Sequence, residues 1–442
     1  MKTKVGMISL GCSKNLVDSE QMLYSISEAE MEIVADHLDA DVVIVNTCCF
    51  IEPAKSESIN SIIEMGKHKE AGDIKKIIVT GCLSQRYKKE ILNELPETDA
   101  ILGTGSCKEI VSAVKSVLKD EPFNAFGDIN APLLETGRIV STHAYAYLRI
   151  AEGCNNNCFF CVIPSIRGKY RSRKMESIID EAKALAETGI RELIVIAQDL
   201  MCYGKDLSDK SDKSMLPELL KALCEIDGIQ WIRLHYLYPD RFDDELIDTI
   251  ASEEKILKYL DIPIQHISDQ ILERMNRRGN GAFIKELFTT LRERIPGLVI
   301  RTSLIVGLPG ETDWEFIQLC TFLQEMKIER VGVFVYSPEE DTIAAKMRDR
   351  CEKEVAEHRR EIILDLQAGI MDEWSAGFIG ETVQVLCEGY DDEKEMHFGR
   401  SYADSPDVDG LVWFVGECSP GEFTHIVVCE IVDGEWYGCQ ID

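Results

Sequence analysis

The chain has 442 residues, with 48 Lys+Arg against 78 Asp+Glu and a formal charge of −30. Its length allows two to four domains of roughly 100–200 residues each, and 45% hydrophobic with 29% charged residues argues against global disorder. The acidic balance disfavours broad electrostatic binding to nucleic acid, and no run of about 18 apolar residues is there to span a membrane.

Met1-Lys2-Thr3-Lys4-Val5-Gly6 leads straight into a strand-like run without a signal-peptide core. The expected location is therefore cytoplasmic, where the sixteen cysteines stay reduced. Three apolar runs in the first 120 residues end in cysteine: Val5–Gly11 before Cys12, Asp41–Thr47 before Cys48, and Lys76–Gly81 before Cys82. Helix-like stretches at Ser19–Ala29 and Ala54–Lys69 separate them, which predicts βαβ units and a parallel sheet. Ligands of such sheets gather beyond the carboxyl ends of the strands. One rim can thus bring the three thiols together as a single site.

Residues 120–137, with Pro122, Gly127 and Pro132, read as a linker. Six strand candidates follow: Tyr147–Ala151, Glu192–Ala197, Trp231–Tyr236, Tyr259–Pro263, Leu298–Val306 and Arg330–Tyr336. Helical patterns fill the gaps, at Lys174–Thr188, Pro217–Ile226 and Gly281–Arg294 among others. Repeated β-α units of this length predict an open or partial (β/α) barrel with its site at the C-terminal strand ends. A long closing helix is expected from Lys346 to about Trp374. Beyond Gly377 the short alternating runs Thr382–Leu386, Leu411–Val415, His425–Glu430 and Trp436–Ile441 predict a small β-barrel.

The most specific motif stands at the end of the first barrel strand, Glu152-Gly153-Cys154-Asn155-Asn156-Asn157-Cys158-Phe159-Phe160-Cys161. Three thiolates within eight residues suit one cubane iron–sulfur cluster. A structural zinc site takes four protein ligands, and no fourth Cys or His follows closely. Three ligands leave one iron open to chelate a substrate or cofactor.

Cys154, Cys158 and Cys161 resemble the triad of radical S-adenosylmethionine (SAM) enzymes, and the whole chain resembles the methylthiotransferase family of that superfamily. The resemblance implies an N-terminal parallel α/β domain over residues 3–119 and, after the 120–137 linker, a partial (β/α)6 radical SAM barrel over 138–374. A small C-terminal antiparallel TRAM barrel would follow over 375–442. It further implies two [4Fe–4S] clusters. Cys154, Cys158 and Cys161 would serve catalysis by holding the cluster that binds and cleaves SAM. Cys12, Cys48 and Cys82 would hold an auxiliary cluster carrying the sulfur to be transferred. In the implied reaction one SAM methylates that sulfur and a second yields the radical that opens the substrate C–H bond.

The family divides by substrate. One branch modifies an adenosine of transfer RNA; the other modifies the β-carbon of an aspartate in small-subunit ribosomal protein number twelve. Ser9–Glu20, Ile163–Gly168, Arg233–Tyr236 and Asp261–Ser268 resemble the protein-modifying branch, whereas the transfer-RNA branch usually has Met-Asn after its first cysteine. Charge votes the same way. Residues 375–442 hold fifteen acidic groups against Lys394 and Arg400, a surface that should repel RNA and attract a basic ribosomal protein. The expected partners are that protein and an electron donor such as flavodoxin or ferredoxin, with no membrane and no nucleic acid as direct substrate. The rival readings are a transfer-RNA methylthiotransferase and a non-enzymatic two-cluster electron carrier. Carriers normally close each cluster with four cysteines.

Gln198, Gln265 and Ser303 are the candidate SAM-binding side chains, since polar groups at barrel-strand ends often contact ligand. Asp199, His235 and His266 share that placement. Gly307, in Ile305-Val306-Gly307-Leu308-Pro309-Gly310-Glu311, resembles the superfamily's glycine-containing motif near adenine, where a missing side chain allows close backbone approach. Arg167 and Arg173 are candidates for positioning an acidic substrate group or the SAM carboxylate. Three features depart from the family pattern. Cys49 directly follows Cys48, Cys107 is an extra thiol, and Glu339-Glu340-Asp341-Thr342 stands where relatives carry a glycine before Thr. His37, His143 and His397 have no partner by spacing and are read as core or surface. A monomer is expected, because no long apolar helix face is spare.

Overall fold

The computed structural model describes residues 2–142, 144–207 and 213–441, so His143 lies outside the described residues. Six strands form the first sheet: β1 (Lys4–Ser9), β2 (Glu32–Ile33), β3 (Val42–Thr47), β4 (Lys76–Gly81), β5 (Ala100–Leu102) and β6 (Phe123–Ala125). All pairs are parallel, in the order β2-β1-β3-β4-β5-β6. The central strand β3 is buried along its whole length, which is why it reads as a continuous apolar run. β6 falls inside the segment expected as a linker; three residues are too few to show a period, yet they pair with β5. The first helix, α1 (Ser13–Glu28), starts six residues earlier than the apolar pattern suggested. Its opening turns bury a polar face, with Lys14, Asn15, Asp18, Ser19, Glu20 and Gln21 all withdrawn from solvent. A period search on apolar residues passes over such a face.

The second domain has β7 (Tyr145–Arg149), a two-residue ribbon of β8 (Ala151–Glu152) and β9 (Arg171–Ser172), then β10 (Glu192–Ile196), β11 (Trp231–Leu234), β12 (Ile256–Asp261), β13 (Val299–Val306) and β14 (Arg330–Val335). Apart from the ribbon, these strands make one parallel open sheet in the order β14-β13-β12-β11-β10-β7. Alternation divides its faces. Leu148, Val195, Leu234, Leu260 and Leu304 join the helices in the main core. Tyr147, Ile194, Arg233, Tyr259 and Ser303 fall on the other face and line the lumen of a partial barrel.

The closing helix spans Lys353–Ala376, seven residues shorter at its start than expected, because Ala344–Lys346 forms a separate single turn. The third domain is a closed barrel of β15 (Thr382–Asp391), β16 (Met396–Arg400), β17 (Val412–Val415), β18 (Phe423–Val432) and β19 (Glu435–Ile441). The fold is the three-domain α/β architecture expected, with two refinements. β16 was not foreseen, and β17 pairs with β19 in parallel, so the small barrel is not antiparallel throughout.

The two flanking domains close the lumen of the partial barrel. From the side, Leu16 and Val17 of α1 pack on Tyr147, Ile194 and Ile196. From the N-terminal strand ends, the segment after β16 reaches in. Glu192, fully buried, accepts from Arg233 Nε at 2.7 Å and from Arg400 Nη2 at 2.7 Å. Arg330 pairs with Asp404, the Tyr259 hydroxyl donates to Asp409 at 2.6 Å, and His235 Nε2 meets the Ser405 hydroxyl at 2.9 Å. The inner face stays open along β13 and β14, where Ser303, Ile305 and Gly332 are half-buried and Phe334 is 45% exposed. Among the described residues no helix is long and apolar enough to cross a membrane.

Candidate active site

Cys12, Cys48 and Cys82 sit immediately beyond β1, β3 and β4, three adjacent strands of one sheet. Cys12 is the N-cap of α1. Gly11 turns the chain toward it with φ +90°; a Cβ there would come within 2.8 Å of the Cys48 sulfur. Cys48 is held through its backbone, since its N–H donates to the Ser58 hydroxyl at 3.0 Å and its carbonyl accepts from the same group at 2.9 Å. Asn15 ties the strand ends together. Its amide donates to Leu10 O and Thr47 O, each at 2.9 Å, while its carbonyl lies 3.6 Å from the Cys82 sulfur and accepts from Arg167.

The second triad is local. Cys154, Cys158 and Cys161 fall in the loop between β8 and the short helix Ile163–Arg167. The loop is laced to its neighbours: Cys154 N–H to Gly168 O (3.1 Å), Phe159 N–H to Met275 O (3.0 Å), and Asn276 Nδ2 to Asn157 O (2.9 Å). Arg277 lies 3.7 Å from the Cys158 sulfur. Phe159 and Phe160 pack beside Ile305 and Tyr336, which places the loop over the ends of β13 and β14.

Both triads fit iron–sulfur clusters by the chemistry of their donors. Burial pushes the Cys154 thiol up to about 11 and Cys161 up to about 12. Burial also raises Cys48 and, more strongly, Cys82, against the pull of Arg167. Such thiols ionise when a metal replaces the proton, and Arg277, 3.7 Å from the Cys158 sulfur, is placed to offset added negative charge there. Among the described residues no three His, Cys, Asp or Glu side chains converge on a single metal-ion position. A cubane needs no such convergence, because each thiolate meets a different iron. Cys49 is fully buried in the apolar core under the first sheet, and burial pushes its thiol up to about 12. Cys107 is likewise pushed up to about 12 by burial, with its sulfur 3.6 Å from Thr104 O.

One guanidinium connects the triads. Arg167 Nη2 lies 3.5 Å from the Cys82 sulfur, while Nη1 binds Asp18 at 2.8 Å and Glu152 at 3.0 Å. Glu152 precedes Cys154 by two residues and is also paired with Arg149 at 2.9 Å. Burial alone would raise Glu152; Arg167 and Arg149 overcome it and hold the carboxyl near 2. Arg167 is therefore spent inside the protein. So is Arg173, which pairs with Glu181 at 2.5 Å. Of the two readings the sequence allows for these arginines, ligand contact and salt bridge, the structure shows salt bridges, buried rather than on the surface.

The other candidates separate. Gln198 donates to Glu152, and its carbonyl oxygen is buried with no hydrogen-bond partner among the described residues. Gln265, at φ +70°, bridges to β13 through Ser303 O (2.9 Å) and Ile305 N–H (2.8 Å), which sets it opposite Leu304, and Ser303 lies half-buried on the open inner face. Gly307 has a packing reason for being glycine: at φ +78°, a Cβ would lie 2.5 Å from that of Ala356 on the closing helix. His235 is taken by Ser405, and His266 accepts from Ser268 N–H at 3.0 Å, so neither faces the triads. Asp199 accepts from Asn156 at 2.9 Å and from Arg241 at 3.0 Å, bracing the cysteine loop. Asp341 takes up φ +67°, left-handed backbone that favours glycine, beside Glu339, which clasps Arg86 (2.7 Å) and Lys55 (3.1 Å) of the first domain. Sequence reasoning missed Asp18, Arg149 and Tyr236. Asp18 and Tyr236 lie within the Ser9–Glu20 and Arg233–Tyr236 stretches, which gave neither a role of its own, and Arg149 carries no motif; in the structure a strained φ of +65° marks Tyr236.

Residues 4–103 match uncharacterized protein family UPF0004, 148–323 the Radical SAM superfamily and 379–440 the TRAM domain. The chain is 48% identical over 439 residues to ribosomal protein uS12 methylthiotransferase RimO of Lachnoclostridium phytofermentans, covering 98% of this chain and 99% of that protein. It is 45% identical over 442 residues to the protein of the same name from Geobacter sulfurreducens, covering 99% and 98%. Among solved structures it shares its fold with the radical SAM methyltransferase TsrM of Kitasatospora setae (TM-score 0.56, 14% identity, 78% of this chain and 77% of that one). The cobalamin-dependent radical SAM enzyme OxsB is similar in fold over 84% of this chain and 56% of its own (TM-score 0.54, 11% identity).

Proposed function

The chain belongs to the RimO family of radical SAM methylthiotransferases, and from that premise we propose that it replaces one β-hydrogen of an aspartate in ribosomal protein uS12 with a methylthio group. As a radical SAM protein it uses SAM and an iron–sulfur cluster. The finer reading is two [4Fe–4S] clusters, one on Cys154, Cys158 and Cys161, the other on Cys12, Cys48 and Cys82. Bound there, the first with SAM would supply the radical that opens the substrate C–H bond and the second would supply the sulfur. The observation that supports this reading is Arg167, which lies 3.5 Å from the Cys82 sulfur and 3.0 Å from Glu152, two residues before Cys154, and so brings the loop of one triad against a cysteine of the other. Radical transfer needs such proximity.

The residues present divide the remaining work. Asn15 and Ser58 hold the dispersed cysteines in place, and Arg149, Arg167, Asp18 and Glu152 lock the domain seam. Gln198, Gln265 and Ser303 are the proposed SAM contacts; the free carbonyl of Gln198 is an acceptor for an ammonium group. Leu16, Val17 and the segment after β16 exclude water from the lumen. The acidic third barrel is the proposed docking surface for basic uS12. Its Arg400 is buried on Glu192 and Glu388, and Lys394 lies over Trp413, so the exposed carboxylates dominate its surface. A one-electron donor such as flavodoxin or ferredoxin is the proposed reductant.

An anaerobic competition assay tests the reading. Reconstituted protein, SAM and a reductant are offered uS12 and bulk unmodified transfer RNA together, and both are followed by mass spectrometry. A methylthio mass gain on the uS12 aspartate is expected. A gain on RNA alone would move the chain to the transfer-RNA branch.

A further inference from the structure

Lys14 is the second residue of α1 and only 6% exposed. Because Leu16 and Val17 press against the inner face of the partial barrel, Lys14 is carried into its mouth, with its ammonium 3.0 Å from the ring centroid of Tyr236. Tyr236 stands just past β11 in left-handed backbone (φ +65°), held there by its N–H to Asp261 (3.2 Å) and by Leu200 N–H to its carbonyl (3.1 Å). Strained backbone of this kind persists where its surroundings over-determine it, and it clusters at ligand clamps.

The carboxylates around this mouth are already committed. Asp18 and Glu152 serve Arg149 and Arg167, Asp261 serves Arg301 at 2.9 Å, Glu20 serves Arg138 and Asp199 serves Arg241. Among the described residues Lys14 has no ion pair; its recorded partner is the aromatic face. A π-face is a weak substitute for the water an ammonium loses on burial. The site is therefore short of one anion, and the open face along β13 and β14 is where one can arrive.

We propose that Lys14 receives the side-chain carboxylate of the substrate aspartate, with Tyr236 as the floor of that pocket. The inference rests on the functional reading above and names its specificity determinant. The β-carbon is one bond from the carboxylate carbon, so pinning the carboxylate holds the two β-hydrogens close to Lys14, two residues from Cys12. It also explains selection of aspartate over asparagine, whose neutral amide cannot repay a buried ammonium. SAM also carries a carboxylate, but its proposed contacts lie on the barrel, whereas Lys14 belongs to the first domain, two residues from Cys12.

The test uses the full reconstituted protein and two peptides of the uS12 loop, one with the aspartate and one with asparagine in its place. Peptide affinity is read by fluorescence anisotropy, methylthiolation by mass spectrometry and SAM affinity separately. Wild type should prefer the aspartate peptide. Lys14→Met, which keeps the length and apolar packing over Tyr236, should weaken aspartate-peptide binding on the order of 10–100-fold and abolish the preference. Lys14→Arg should keep most of it, and Lys14→Gln should behave like Lys14→Met, which guards against one misfolded variant. A Lys14→Met protein that still prefers aspartate overturns the assignment, as does one whose loss is confined to SAM affinity. If wild type modifies no uS12 aspartate, the functional reading falls first and takes this proposal with it.

Discussion

The two cysteine triads make opposite use of the chain. Cys154, Cys158 and Cys161 are neighbours in sequence, and one loop presents them. Cys12, Cys48 and Cys82 are 36 and 34 residues apart and meet only because β1, β3 and β4 are adjacent in one parallel sheet. A local site can survive loosening of the fold around it. A dispersed one reports on the whole sheet, and here it also depends on Asn15 to hold three strand ends in place. A short motif finds the first kind at once; the second appears only when a fold is assumed.

Perturbations that separate the triads should follow that contrast. The largest effect is expected of Cys158→Ala: SAM cleavage and methylthio transfer both fall below detection, and iron drops from about eight to about four per chain, read by product chromatography and metal analysis. Cys12→Ala should lose transfer and the same iron while retaining SAM cleavage to 5′-deoxyadenosine. Cys49→Ala, by contrast, should keep both activities; a cluster lost in that variant would make Cys49 the ligand in place of Cys48. Asn15→Ala should lower iron only partly, emptying the dispersed site while SAM cleavage persists, because several buried groups lose their partner at about 1–3 kcal/mol each.

Glu192→Gln should leave iron untouched and act on stability alone. It strips two buried guanidinium groups of a shared carboxylate, a loss of about 3–5 kcal/mol measurable by denaturant unfolding. Burial opposes its ionisation, but Arg400 and Arg233 win and hold the Glu192 carboxyl below its ordinary value of 4.5. Its contribution is therefore fully present above that value and is lost as pH falls through the folded-state value. Wild-type stability should decline more steeply than that of Glu192→Gln below about pH 4.5.

The strands of the partial barrel were legible because each buries one apolar face under helices, and the apolar runs also made legible that Cys12, Cys48 and Cys82 follow adjacent strands of one sheet. What escaped was polar. The first turns of α1, the Asp18–Arg167–Glu152–Arg149 seam and the Lys14–Tyr236 contact carry no apolar period, since their partners come from other domains. Arg167 was singled out as a ligand-binding group, but nothing in the sequence shows that Asp18 and Glu152 consume its charge. β16 was missed for a related reason: Met396–Arg400 ends in a guanidinium buried against Glu192, so it lacks the alternating pattern of a surface strand.

The lumen has walls from three sources: the six-stranded sheet, α1 at the side and the segment after β16 below. None of the three domains is consequently an interchangeable cassette. Replacing the third barrel by that of another protein would remove the floor beneath Arg233, Tyr259 and Arg330. A graft that folds onto the rest of the chain would have to carry residues 400–409 with it, so the working boundary of the partial barrel runs through the middle of the third domain.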